Sequence, residues 1–250
     1  MENYLLRVLI ESGLNLGLLI PFFVLAFLTT RRAGKSAVKP VLLFAAFFTL
    51  DIALIFLFKL VRFIPDWGHL NWQGKLLELG WPLLLVALVP AFSAAAVGFR
   101  LPENTRSWRT LLITCVLYAV IAMPLMLYFA TWDPDFAKKL PVYAYEGIMP
   151  GLGEEFVYRG VLLMLLNQAF GRPWKLAGIQ FGWGFVIVTA MFGLLHGIDG
   201  TPGKVHIYWS AMIFPAVIGT VLAWLRERTG SVWPGVVFHN FVNLLSTLFS

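Results

Sequence analysis

The chain has 250 residues, of which 59% are hydrophobic and 13% charged, with a formal net charge of +6. An ordinary soluble domain is about a quarter charged, so this composition excludes a soluble globular enzyme and points to an integral membrane protein. Apolar runs close to the roughly 20 residues that a bilayer-spanning helix needs, without strict alternation, exclude a transmembrane β-barrel as well.

The predicted fold class is an all-α polytopic membrane protein, a bundle of about eight transmembrane helices with a polar intramembrane cavity. The spans read as 5–28, 41–63, 76–99, 108–130, 143–170, 176–195, 207–225 and 232–249. No short apolar core followed by a small-residue cleavage site opens the chain, so the first run is read as a retained span. Pro150, Gly151 and Gly153 are expected to break or bend the long fifth run, leaving 143–149 as an interfacial piece. Cys115, the single cysteine, lies mid-span and has no intramolecular disulfide partner. Nothing in the chain reads as a soluble domain, a low-complexity tract or an internal repeat, which leaves an inverted-repeat transporter with little support.

The positive charge is a matter of topology, and no nucleic-acid partner is implied. Basic residues fall in alternate links: Arg31, Arg32, Lys35 and Lys39; then Arg100, Arg106 and Arg109; then Arg172 and Lys175; then Arg226 and Arg228. By the positive-inside rule these links face the cytoplasm, and both termini lie on the other side of a plasma (inner) membrane. The remaining links are balanced, with Asp133 and Asp135 against Lys138 and Lys139, and Asp199 against Lys204. Trp67, Trp72, Trp108, Trp132, Trp174 and Trp233 fall near span ends, as an aromatic belt requires.

Glu154, Glu155 and Arg159 lie inside the apolar run 142–170. An ionised side chain at the middle of a membrane helix costs roughly 2.5 to 3.5 kcal/mol, so three unpaired ones would cost about 9 kcal/mol. They must be paired, face water in a cavity, or do chemistry. Residues four apart share a helix face, so Glu155 and Arg159 can form an ion pair, while Glu154 is turned about 100° away, toward a polar cavity. The sixth span carries Phe192 and His196 at the same spacing, and the eighth carries His239 and Asn243. Three helices thus offer a carboxylate, two imidazoles and a carboxamide, enough for a general base, hydrogen-bond donors and an oxyanion stabiliser. Taken singly, an intramembrane His or Asn is often only interhelical glue worth about 1 kcal/mol. Asp51, Lys59, Glu78 and Glu11 have no comparable partner pattern and are read as structural. His69 and His206 fall in links and are read as interfacial.

The three motifs, Glu154-Glu155-Phe-Val-Tyr-Arg159, Phe192-Gly-Leu-Leu-His196 and His239-Asn-Phe-Val-Asn243, resemble the EExxxR, FxxxH and HxxxN motifs of the CAAX-protease and bacteriocin-processing (CPBP, or ABI) family. That family comprises intramembrane proteases related to the type II CAAX prenyl endopeptidase. The stretch Arg228-Thr-Gly-Ser-Val-Trp-Pro resembles the family's lead-in to its last motif, and the likeness covers about 141–243. Residues 1–140 then form N-terminal helices without a family motif, and 141–250 a catalytic membrane domain within one integral unit.

What the resemblance implies is peptide-bond hydrolysis within the membrane. The counterpart of Glu154 activates a water with help from that of His196, and the counterparts of His239 and Asn243 stabilise the oxyanion. Glu155, Arg159 and Phe192 are then supporting residues. Whether a metal takes part is a separate matter. Glu154, His196 and His239 could supply the ligands of a catalytic zinc, yet HExxH is absent and the three groups come from three helices. A metal-independent glutamate mechanism without cofactor is therefore favoured, with zinc as the alternative.

Two other classes compete: a transporter or proton pathway built on buried Glu and His, and a non-catalytic immunity or scaffold protein that binds a peptide. Glu154 follows an early break in an out-to-in span, and His196 lies near the outer end of an in-to-out span. The expected substrates are therefore membrane-anchored or exported proteins cut near the non-cytoplasmic face.

Overall fold

Backbone N–H and C=O groups in a bilayer must bond within their own segment, so the apolar runs wind into helices. The computed structural model describes residues 4–30, 35–57, 63, 70–129, 136–201 and 203–249. Arg31, Arg32, Lys59, Trp67, His69, Trp132, Asp133 and Asp135 lie outside the described residues, as do the side chains of Lys35, Lys138 and Lys139.

In chain order the helices are α1 (Tyr4–Thr29), α2 (Lys35–Phe56), α3 (Trp72–Leu88), α4 (Thr105–Phe129), α5 (Phe136–Glu146) and α6 (Met149–Glu154). A π-helical segment (Glu155–Leu162) runs on into α7 (Leu163–Phe170), and α8 (Trp183–Gly197), α9 (Trp209–Thr229) and α10 (Trp233–Leu248) follow. Tyr4–Thr29, Ser36–Phe56, Thr105–Tyr128 and Trp209–Thr229 are long and apolar enough to cross a membrane by themselves, and α8 is a shorter apolar helix. The protein is an all-α polytopic membrane protein.

Four predicted spans differ in detail. The second begins at Lys35, six residues before the expected start, so Lys39, read as part of a link, lies within α2. The third ends at Leu88, because Pro90 starts a short 3-10 turn (Pro90–Phe92) and Gly98, at φ +75°, carries the chain back. The sixth starts at Trp183. The residues before it pair as a hairpin, β1 (Trp174–Leu176) with β2 (Ile179–Phe181). Ala177 and Gly178 both have positive φ in its two-residue turn, the geometry that matches strand twist. The fifth run breaks at Gly147 and Ile148, earlier than Pro150. Pro150 instead occupies the first turn of α6, where its missing N–H costs nothing. A second hairpin, β3 (Ile198–Thr201) with β4 (Lys204–Ile207), links α8 to α9.

The segment from α6 through α7 is the centre of the bundle. All residues from Glu155 to Leu166 are buried, the charged Glu155 and Arg159 included. Helices α2, α3, α8 and α9 pack around it, and α10 covers α6. Close approach to α10 needs Gly151, since a Cβ there would lie 2.6 Å from the Val236 carbonyl oxygen. Asn240 uses the same proximity: its Oδ1 accepts from Gly151 N–H at 2.8 Å, and its Nδ2 donates to the Ile148 carbonyl at 3.3 Å. Thus α10 pins the chain where it leaves the break and enters α6. The outer faces carry exposed apolar residues, including Leu112, Val116, Val120 and Ile121 on α4, as a lipid-facing surface requires.

Candidate active site

Glu154 ends α6 and Glu155 begins the π-helical segment, so neighbours in sequence enter different surroundings. π-Bulges inside helices are frequent at functional sites. Glu155 and Arg159 have fully buried side chains, and Arg159 Nη1 donates to Glu155 Oε1 at 3.0 Å. Arg159 Nη2 donates to the Gly219 carbonyl on α9 at 3.3 Å. The guanidinium lies 4.1 Å from the centre of the Phe192 ring, a cation–π contact on α8. His239 on α10 completes the cluster, with Nδ1 3.1 Å from the same Glu155 Oε1 and its ring edge-on to Phe192. Two glycines admit these side chains. A Cβ at Gly219 would lie 3.1 Å from Arg159 Nη2, and one at Gly235 3.0 Å from Glu155 Oε2.

Glu155 therefore does more than pair with Arg159. A carboxylate only accepts, so His239 Nδ1 carries the proton of that bond, and the ring is fixed with Nε2 pointing away. Nε2 stands 3.9 Å from Glu154 Oε2. It offers a lone pair when the ring is neutral and an N–H donor when the ring is protonated.

Glu154 faces a cavity of about 320 Å³, which Tyr158, Phe192 and His196 also line. His196 Nδ1 lies 2.7 Å from the Phe192 carbonyl oxygen, which can only accept, so Nδ1 is the donor and Nε2 is left to act. The cavity opens among the start of α1, the ends of α2 and α8, and the start of α3. Arg7, Glu11, Phe56, Lys75 and Asp199 mark that end. Asn243 is placed differently from expectation. Its Nδ2 donates to Glu146 Oε2 on α5 at 2.9 Å, and it does not line the cavity. The structure thus brings Glu154, His196 and His239 together, while Asn243 shares the face of His239 one turn farther along α10 and is engaged with α5.

Of the residues read as structural, Asp51 and Glu11 have hydrogen-bond partners on other elements, and Glu78 pairs with Lys75 on its own helix. Lys75 Nζ lies 2.6 Å from Glu154 Oε1 and 2.7 Å from Glu78 Oε2. Asp51 accepts from Trp81 Nε1 at 2.9 Å and from Tyr158 Oη at 3.2 Å. Glu11 Oε1 accepts from Gly200 N–H in β3 at 2.8 Å. The i, i+3 spacing of Lys75 and Glu78 near the start of a span was the one sequence signal available for this group.

Glu154, His196 and His239 fit a zinc ion poorly. Among the described residues no three His, Cys, Asp or Glu side chains are arranged to hold one metal. Glu154 Oε1 already has the Lys75 ammonium at 2.6 Å, a cation where a ligand-bound metal would bring its own charge.

Residues 136–245, somewhat under half of the chain, match the family described as Type II CAAX prenyl endopeptidase Rce1-like. No curated protein matches, and no solved structure matches. All three motifs lie within the matched segment, whereas Lys75, Glu78 and Asp51 lie before it.

Removing one partner from a buried ion pair leaves the other charge uncompensated, at a cost of about 3 to 5 kcal/mol. Glu155→Gln and Arg159→Met should therefore each destabilise the protein strongly in detergent unfolding measurements. The double variant should be more stable than the sum of the two losses implies, by about 1 kcal/mol or more. Strictly additive losses would show that the pair is not coupled.

Proposed function

Taking residues 136–245 as part of the Rce1-like family of CAAX-type intramembrane proteases, we propose that the chain hydrolyses a peptide bond with a water activated by Glu154. The observation that carries this reading is the Glu154 carboxylate in the cavity, with Oε1 on Lys75 and Oε2 turned toward His239 Nε2 at 3.9 Å. A gap of that size between two polar atoms suits a bridging water.

In the proposed reaction Glu154 Oε2 takes a proton from the water as its oxygen attacks the carbonyl carbon. The tetrahedral oxyanion accepts a hydrogen bond from His239 Nε2–H, and Asn243, one turn farther along α10, supplies a second once its amide turns from Glu146 toward the cavity. The C–N bond then breaks, and Glu154 returns its proton to the leaving amine. His196 Nε2 helps to hold the water. Glu155 orients His239 much as the carboxylate of a hydrolase triad orients its imidazole. Arg159 neutralises Glu155, and Phe192 supports both Arg159 and His239. Every group invoked belongs to the protein, and no step calls for a metal.

The substrate is read as a membrane-anchored or exported protein at the bilayer, cut near the non-cytoplasmic face of a plasma membrane. Two features support that side. The cavity is marked by Arg7 and Glu11 near the start of α1. The opposite end of the bundle gathers Arg100, Arg172, Lys175, Arg226 and Arg228, the charges that the positive-inside rule keeps in the cytoplasm.

The hydrolytic reading is tested by comparing protein termini in membranes of cells producing the wild-type protein or Glu154→Gln. New termini should be present with the wild-type chain and fall by about 10²-fold or more in the variant, the scale of a lost general base. Equal termini in both would sink the reading. Orientation is tested with single cysteines, Ser36→Cys and Val205→Cys, each in a Cys115→Ala background. An impermeant thiol reagent should label position 205 in intact cells and position 36 only after permeabilisation; the reverse pattern would overturn the assignment.

A further inference from the structure

Several polar groups lining the cavity, Arg7, Glu11, Lys75 and Glu78, lie before the matched segment, and Lys75 is bonded to Glu154 itself. It comes from the first turns of α3, before residue 136, and its side chain is only 12% exposed. Its position is set locally. Asn71 caps the helix by accepting from Gly74 N–H at 2.9 Å, and Asn71 Nδ2 donates to the Ile55 carbonyl at 3.1 Å, which ties the cap to α2. Trp72 packs edge-to-face on Tyr145 of α5, and a Cβ at Gly153 would run into the Glu78 carboxylate, so α3 lies directly against α6.

Lys75 Nζ lies between Glu154 Oε1 and Glu78 Oε2, at 2.6 and 2.7 Å. A bond between ions at such a distance is short, strong and directional. It takes one oxygen of Glu154 and leaves Oε2, which has no hydrogen-bond partner among the described residues, facing His239. Glu78 is fully buried and forms an ion pair with the same ammonium at 2.7 Å, so it holds Lys75 from behind by charge. Had neutralising Glu154 been the whole requirement, an apolar pair would serve as well or better, since desolvating two ions usually offsets their attraction. An ammonium at this place does what an apolar pair cannot: it keeps a carboxylate charged inside a bilayer and selects which of its oxygens is free.

We infer that Lys75, held by Glu78, is a positioning residue that keeps Glu154 ionised and turns Oε2 toward the reacting water, so that the helices before the family segment complete the active site. This inference rests on Glu154 acting as the base. It differs from that reading in having a signature that needs no substrate, the protonation state of Glu154 itself.

The test is infrared difference spectroscopy on the full-length protein in lipid vesicles, each form compared with its own Glu154→Gln counterpart. The wild-type chain and Lys75→Arg should give the bands of an ionised carboxylate. Lys75→Met should give the carbonyl band of a protonated carboxyl, and Lys75→Gln, close in length and polar, provides the same readout if Lys75→Met does not accumulate. In membranes, the Glu154-dependent new termini should fall about 10²-fold in Lys75→Met, the penalty of a misplaced catalytic group, and by less than about 10-fold in Lys75→Arg. An ionised carboxylate in both Lys75→Met and Lys75→Gln, or wild-type termini in Lys75→Met, would overturn the inference. Undiminished termini in Glu154→Gln would instead remove the base reading and leave the infrared result on the Lys75–Glu154 pair standing.

Discussion

One oxygen of Glu155 organises the site. Oε1 accepts from Arg159 on its own helical segment and faces Nδ1 of His239 on α10, while Arg159 reaches the backbone of α9 and lies over Phe192 of α8. Four parts of the bundle thus meet around a single buried charge pair. Water is not at hand in a bilayer to satisfy a group that slips out of place, so each member is held by the desolvation cost of leaving. Gly219 and Gly235 are part of the same requirement, because a side chain at either would push into the charged groups. The separate motifs EExxxR, FxxxH and HxxxN are, in the folded chain, one object.

That object is the support for Glu154, its neighbour in sequence. The change from α6 to the π-helical segment falls between the two glutamates, and their surroundings divide there. Glu155 turns inward to Arg159 and His239, and Glu154 turns to the cavity, to Lys75 and to the far nitrogen of His239. His239 bridges the two: its Nδ1 lies 3.1 Å from Glu155 Oε1 and its Nε2 3.9 Å from Glu154 Oε2. The proposed proton transfer from water to Glu154 would use this combination of a fixed imidazole and a partly accessible carboxylate.

The parts that could be read from sequence are those set by helical periodicity. The spans of α1, α4, α9 and α10 follow from hydropathy to within a few residues, and the Glu155–Arg159 pair follows from spacing along one helix. Contacts across helices were not legible in that way. Lys75, Asp51 and Asn240 are bonded to residues 79, 107 and 89 positions away, and no local pattern joins them. For this reason the partners of Asp51 and Glu11 are not legible from spacing, whereas Glu78 and Lys75 are three apart on one helix. Asn243 shows the opposite limit: its spacing from His239 puts both on one face, but not which neighbour each meets, and Glu146 on α5 takes its amide. The two hairpins are not legible in hydropathy, because short strands such as Trp174–Leu176 and Ile179–Phe181 are too brief to interrupt an apolar run.

The central claim is that water, oriented by Glu154, attacks the peptide carbonyl directly. The most direct measurement is cleavage in ¹⁸O-labelled water with hydroxylamine present, on a membrane protein whose new termini depend on Glu154. Direct attack puts one ¹⁸O into the new C-terminal carboxylate and gives no hydroxamate. A hydroxamate at the cleaved carbonyl would reveal a covalent acyl intermediate and contradict the account.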